Sequence, residues 1–174
     1  MQSSRRSFLK IGVIGACTLA AGGAVYRLVT PPASPQRFAL EGGALAVLNA
    51  VIPALLGPVL PDEAGARAVA LTAASQRVTD AVRGLPLATQ KEVQDLFGLL
   101  ALGPARRLLA GVAGGWEQAD PKQVVAFLDS WRIHRLQTLQ VAYHALHDLV
   151  IGAWYADPSS WAAIGYPGPL KELA

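Results

Sequence analysis

The sequence predicts an all-α protein, with a single small helical domain of about five to six helices after an N-terminal signal segment. Apolar residues recur at spacings of three and four over most of the chain, and helix-start signals precede several of these runs. No alternating apolar and polar pattern of useful length predicts a strand. The expected segments are an export signal at residues 1–29, a proline-rich linker at 30–39 and the helical domain at 40–174.

The first predicted helix covers residues 40–56, and Pro53 is expected to kink it or to end its regular part. A loop follows, after which Asp62 is the expected N-cap of a second helix, with Glu63 in the first turn. The apolar stripe of this second helix is made largely of small residues: Ala64, Ala68, Leu71, Ser75, Val78 and Val82.

Two shorter helices are expected in the middle of the chain. Thr89 and Glu92 have the spacing of a capping box, which predicts the start of a third helix. Gly103-Pro104 interrupts that helix, and residues 105–112 are expected to form a fourth.

The clearest helix-start signal is Asp120-Pro121, an N-cap acid followed by proline at the first helical position. The apolar pattern then continues to Trp154, and it predicts either one long helix or two helices joined near residues 132–134. Asp157-Pro158 is expected to open a last turn, and residues 165–169 to end the domain as an irregular segment.

The charge of the domain differs from that of the whole chain. Four of the 15 Lys+Arg lie in the first 30 residues, whereas all 12 Asp+Glu follow, so the remainder carries about −1 although the chain as a whole carries +3. Nucleic acid is therefore not an expected partner. Only 16% of the residues are charged, against about 25% in a typical domain. This composition predicts exposed apolar area that another protein covers.

The N-terminal segment has the pattern of a twin-arginine export signal, in which paired arginines precede an aromatic residue, a leucine, a lysine and an apolar run rich in Gly and Ala. The residues that carry the pattern are Ser4, Arg5, Arg6, Phe8, Leu9 and Lys10. Such a signal is normally given to proteins that leave the cytoplasm already folded. An ordinary secretory signal with an accidental arginine pair is the alternative.

The fate of the signal stays open between three possibilities. Cleavage is expected among the small residues 20–24, and it would leave a mature domain without cysteine. Cys17 follows a loose lipoprotein-type box and could instead carry a lipid. Retention as an anchor is the third possibility, although the apolar run at residues 11–25 is shorter than the roughly 20 residues that span a bilayer.

The best candidate for chemistry is a histidine cluster on the last long helix. His144, His147 and Asp148 fall within one helical turn or so, and His134 lies ten residues before His144. A metal site would need further ligands from another helix, and no Glu-x-x-His pair is present. We therefore favour hydrogen-bonded structural histidines over a metal site. No serine lies in a nucleophile-elbow context, so no catalytic residue and no cofactor are predicted for this chain.

Aromatic residues crowd the C-terminal part of the chain among prolines and glycines. Rigid aromatic side chains bury large areas at small entropic cost and therefore make good interface anchors. A hydrophobic plug that folds back on the helices is the alternative, and one segment could do both. The candidate partner-binding residues are Trp131, Tyr143, Trp154, Tyr155, Trp161, Tyr166 and Pro167.

Residues 152–158 (GAWYADP) and 161–169 (WAAIGYPGP), behind the Ser4-Arg5-Arg6 signal, resemble the gluconate 2-dehydrogenase subunit 3 family. These proteins are the small, or gamma, subunits of membrane-associated flavin dehydrogenases. The resemblance covers the signal and about the last fifty residues, from Asp120 onwards.

This resemblance implies a non-catalytic subunit. In such complexes a large GMC-type subunit holds FAD and oxidises a sugar or alcohol, and a multihaem cytochrome c subunit takes the electrons. The small subunit supports maturation, and its signal takes the leaderless large subunit through the twin-arginine translocase to the periplasm. Some relatives carry cysteines in the mature domain, whereas this chain does not. No disulfide is therefore expected.

Overall fold

The computed structural model describes residues 38–168 of the chain. Over this range the protein consists of α-helices and short 3₁₀ turns without a strand, which confirms the all-α fold class. The α-helices are α1 Gly42–Leu56, α2 Ala64–Arg83, α3 Leu87–Ala101, α4 Gly103–Leu109, α5 Pro121–Arg132 and α6 Gln137–Tyr155. The 3₁₀ turns are Gly57–Val59, Trp116–Gln118, Pro158–Ser160 and Ala162–Ile164.

Helix α1 lies at the centre of the fold and packs against α2, α3, α5 and α6. Val47, Leu48 and Val51 are completely buried there, because the apolar residues of this helix meet neighbours on several sides. Pro53 lies inside the helix and does not end it. The stretch Gly42–Val59 has a mean hydropathy of 1.8, so by length and composition alone it could cross a membrane. The central helix of a packed domain meets the same criteria.

The N-cap of α2 is Glu63, so the prediction of Asp62 as the cap was wrong. The two Glu63 carboxylate oxygens accept hydrogen bonds from the backbone N–H groups of Gly65 and Ala66, at 2.8 and 2.5 Å. These bonds, that of Ala66 above all, lower the pKa of the Glu63 carboxyl group. Glutamate reaches the first turn from this position and supplies the acceptor that the free N–H groups need.

The predicted stripe of α2 is buried only in the C-terminal half of the helix. Val78 and Val82 are buried as expected, together with Ala74. Ala64 and Ala68 are exposed. The first two turns of α2 therefore contribute little to the core.

Helix α3 begins at Leu87, so the prediction that Thr89 and Glu92 cap its start was wrong. Both residues lie inside the helix, and the backbone N–H groups that a Thr89 cap would bind, those of Lys91 and Glu92, already have helical partners. Helix α4 also begins and ends earlier than the predicted range of residues 105–112, because Pro104 is accommodated in its first turn.

Gln90 connects α3 to two other parts of the chain. Its side-chain Nε2 donates to the backbone carbonyls of Arg83 and Leu85, at 3.1 and 2.8 Å. Its Oε1 accepts a hydrogen bond from the backbone N–H of Phe38 at 3.3 Å. Phe38, from the segment predicted as linker, is buried in the core. Gln90 thus attaches both the α2–α3 turn and the first of the described residues, Phe38, to α3.

The expected N-cap of α5 is confirmed, since Asp120 Oδ1 accepts a hydrogen bond from the backbone N–H of Lys122 at 2.8 Å. The pattern that follows forms two helices, α5 and α6, which decides between the alternatives left open by the sequence. The rings of Trp116 and Trp131 both pack edge-on against Phe127, with centroids 5.9 and 4.8 Å away. This aromatic cluster fixes α5 in the core.

Candidate functional site

The C-terminal aromatic segment, defined here as residues 154–168, begins where α6 ends and turns back on itself. Asp157 caps the 3₁₀ turn Pro158–Ser160, and its Oδ1 accepts a hydrogen bond from the backbone N–H of Ser159 at 2.8 Å. The hydroxyl of Ser160 donates to the backbone carbonyl of Asp157 at 2.8 Å. Asp-Pro therefore opens the last turn as the sequence predicts, because the short acid reaches the free N–H groups.

Trp161 holds the second half of the aromatic segment. Its indole Nε1 donates to the backbone carbonyl of Tyr155 at 2.8 Å. Its ring packs edge-on against Tyr166, with centroids 5.2 Å apart, and the Tyr166 N–H donates to the Trp161 carbonyl at 3.0 Å. Gly168 has a φ of +95°, and a Cβ at this position would lie 3.1 Å from Trp161 Cζ3. The chain can close over the indole here because glycine has no side chain.

Arg77 of α2 joins the aromatic segment to the helical body. Its Nη2 lies 2.8 Å from Asp157 Oδ2, and its guanidinium carbon lies 5.9 Å from the centroid of the Trp154 ring. The pKa of the Asp157 carboxyl is lowered, mainly by the Ser159 hydroxyl, then by the Ser159 backbone N–H and finally by the Arg77 charge. Asp157 therefore has both a capping role and a tethering role.

The structure separates the candidate partner-binding residues into three groups. Trp131 is only 1% exposed, and its Nε1 donates to the Leu109 carbonyl at 2.9 Å, so its proposed place on a binding surface is corrected to the core. Tyr143, Trp154, Tyr155 and Trp161 are half-buried, whereas Tyr166 and Pro167 are exposed. The accessible part of the candidate surface is therefore the aromatic segment, with Tyr166 and Pro167 at its outside.

In the histidine cluster of α6, the Tyr143 ring lies between two imidazole rings without stacking face to face on either. The Tyr143 ring lies 5.3 Å from that of His144 and 5.7 Å from that of His147, centroid to centroid. His147 Nδ1 is 2.9 Å from Asp148 Oδ1. His134 lies apart from these residues, where its Nδ1 accepts a hydrogen bond from the Leu136 N–H at 3.0 Å. Among residues 38–168, no group of three or more potential metal ligands comes together.

Two shallow cavities border α1. One of about 510 Å³ is lined mainly by apolar residues of α1 and α5 and by Trp116. The other, of about 360 Å³, lies between α1 and α2 and is lined by hydroxyl and amide side chains and by Arg83, without a histidine or a carboxylate. Neither lining brings a nucleophile together with a general base.

The export-signal residues and Cys17 lie outside the described residues, as do residues 30–37 of the predicted linker and Pro169. No family model, curated protein or solved structure matches this chain. Sequence reasoning found the aromatic residues and the Asp157-Pro158 turn, but it missed Arg77. Nothing in the local sequence distinguishes Arg77 from the other arginines of α2, because its partners lie about 80 positions away.

Proposed function

We propose that this chain is a non-catalytic small subunit. It binds a large GMC-type FAD-dependent sugar or alcohol dehydrogenase, supports the folding and maturation of that enzyme, and exports it to the periplasm with its twin-arginine signal. FAD belongs to the large subunit in this proposal, and a multihaem cytochrome c subunit completes the complex. The class of partner comes from the resemblance of the C-terminal residues and the signal.

The observation that carries the proposal is the ordered aromatic segment. Binding normally costs entropy when interface side chains and loops become fixed. Here the hydrogen bond from Trp161, its packing on Tyr166 and the ion pair between Arg77 and Asp157 fix the backbone before any partner binds. Tyr166 is 45% exposed on this prepared surface. A preorganised aromatic surface favours a protein partner.

The export role is tested by co-expression with a leaderless GMC-type dehydrogenase. Changing both Arg5 and Arg6 to Lys should remove dehydrogenase activity from the periplasmic fraction, because the translocase reads the arginine pair. Arg67→Lys, which changes an arginine of α2 outside the aromatic segment, is the control and should leave delivery unchanged. Unchanged delivery with the double lysine variant would refute the hitch-hiker role.

Partner binding is tested separately by pull-down from the cytoplasm, where export plays no part. Tyr166→Ala combined with Pro167→Ala should weaken capture of the dehydrogenase by roughly 30-fold, since a central interface aromatic contributes about 2 kcal/mol or more. Leu87→Ala changes another exposed apolar residue, 66% exposed at the start of α3, and should have no effect. If the Tyr166→Ala, Pro167→Ala variant captures as much dehydrogenase as the Leu87→Ala control, the aromatic segment is not the binding surface.

A further inference from the structure

A second surface, the basic end, lies where α4 and α5 finish. It consists of residues 106–109 and 132–136. The hydrogen bond of 2.9 Å from Trp131 Nε1 to the Leu109 carbonyl brings the two helix ends together. The amide of Gln140 in α6 donates to the His134 carbonyl at 2.7 Å, which fixes the turn that follows α5. The basic end is therefore part of the packed domain.

The basic end exposes large aliphatic side chains. Leu108 is 84% exposed, Ile133 78% and Leu136 58%. Leu108 and Ile133 are the two most exposed large apolar residues between residues 38 and 168. Both extend into solvent although their neighbours Leu109 and Trp131 pack inwards. Three strongly exposed aliphatic side chains on the two helix ends that the Trp131 hydrogen bond joins make this part of the surface a candidate contact site.

Positive charge is concentrated around these side chains. Residues 38–168 contain nine Lys+Arg and eleven Asp+Glu, yet the basic end has four arginines, and the nearest acid in sequence is Asp129, which pairs with Arg132 at 3.2 Å. The Nε atoms of Arg106 and Arg107 donate at 3.3 Å to the backbone carbonyls of residues 112 and 113. These bonds orient the guanidinium groups of the two residues that precede Leu108 in the chain, and their terminal nitrogens make no hydrogen bond to residues 38–168.

We propose that the basic end docks on the surface of an anionic lipid bilayer. Arginines attract acidic headgroups, while aliphatic tips enter the boundary between the headgroups and the acyl chains. The combination favours lipid over single-stranded nucleic acid, because bases stack on exposed aromatic rings. The basic end contains no Trp, Tyr or Phe, and the adjoining Trp131 is buried. This docking is independent of the dehydrogenase partner proposed above.

The test uses the full chain and vesicles of phosphatidylglycerol and phosphatidylethanolamine, with bound protein measured by co-sedimentation. Ile133→Ser combined with Arg135→Gln should weaken binding roughly 30-fold, through one lost charge and one lost aliphatic insertion. Leu108→Ser combined with Arg107→Gln, on the other helix end, should have a similar effect. Vesicles of phosphatidylcholine should bind none of the proteins appreciably.

The matched control is Val69→Ser combined with Arg67→Gln in α2. Val69 is 71% exposed and has an arginine two positions away, as Ile133 has, but it lies outside the basic end. This variant should bind as the parent does. All variants keep the same N-terminal signal, so its own attraction to lipid is constant, and circular dichroism verifies that each is folded.

Three results would overturn the proposal. The basic-end variants could sediment with the vesicles as well as the parent does, which would assign all lipid binding to the signal. The control could lose as much binding as they do, which would make the effect one of general charge and hydrophobicity. The third is binding to soluble heparin without binding to vesicles, which would assign the basic end to soluble polyanions.

Discussion

Gln90 offers the sharpest test of how the fold is held together. It is 9% exposed, and three backbone groups depend on it: the carbonyls of Arg83 and Leu85 and the N–H of Phe38. Gln90→Met keeps the length of the side chain but removes every hydrogen bond. At about 1 kcal/mol for each bond, the free energy of unfolding should fall by about 3 kcal/mol.

The loss can be divided between the two ends of the amide. Gln90→Glu keeps an acceptor for the Phe38 N–H but places an oxygen against two carbonyl oxygens. The bond to Phe38 is the longest of the three, at 3.3 Å, so most of the stability should depend on the Nε2 donor. We therefore expect Gln90→Glu at pH 7 to be destabilised at least as much as Gln90→Met.

The measurement is urea unfolding followed by far-ultraviolet circular dichroism, with the midpoint compared at constant slope. A loss of 3 kcal/mol corresponds to a fall in melting temperature of roughly 10 °C for a domain of this size. Gln94→Met is the control, because Gln94 lies one turn further along α3 and its side chain makes no hydrogen bond to residues 38–168. A loss below about 1 kcal/mol for Gln90→Met, or an equal loss for Gln94→Met, would refute the reasoning.

Two further predictions concern the aromatic segment. The pKa of Asp157 is lowered, chiefly by the Ser159 hydroxyl, so its contribution to stability is complete above the unfolded pKa of about 3.9 and is lost as the pH falls through the lower folded value. Near-ultraviolet circular dichroism should therefore show the segment loosening below about pH 4, and Asp157→Asn should abolish this acid step. Gly168→Ala should displace the Trp161 ring at neutral pH, because the position has a φ of +95° and the added Cβ would approach the indole. Gly152→Ala, at an open helical position, should instead stabilise the protein by about 0.5–1 kcal/mol. If Gly168→Ala and Gly152→Ala change the near-ultraviolet spectrum equally, the close approach of residue 168 to the indole is not the cause.

The sequence predicts helices well where local and tertiary preferences agree. The Asp120-Pro121 start of α5 is local chemistry, since the acid caps the N–H groups within two or three residues of itself, and it appears as expected. The apolar pattern also predicted where a break between α5 and α6 would lie, near residues 132–134, but it did not decide between one helix and two. Fold class followed from the same periodicity.

Two of the predictions failed because distant residues decide the outcome. Thr89 and Glu92 have the spacing of a capping box, but α3 starts two residues before Thr89. Gln90 binds the turn before α3 and also the backbone of Phe38, which lies 52 positions earlier in the chain. Trp131 is of a residue type that often anchors interfaces, but its side chain lies on the face of α5 that packs into the core. A single sequence does not show which side of a helix meets a neighbour when both sides carry apolar residues.

The two proposed surfaces lie at opposite ends of one helix, and this arrangement has a consequence for assembly. The basic end finishes at Leu136, directly before α6, and the aromatic segment begins at its last turn. At 1.5 Å per residue, the 19 residues of α6 span roughly 28 Å. A dehydrogenase bound at the aromatic segment should therefore leave the basic end accessible. We expect the preformed complex to bind anionic vesicles within about twofold of the free chain's affinity and to lose that binding in the Ile133→Ser, Arg135→Gln variant. If complex formation alone abolishes vesicle binding, the partner covers both ends of α6. The length of α6 is then not enough to keep the two surfaces independent.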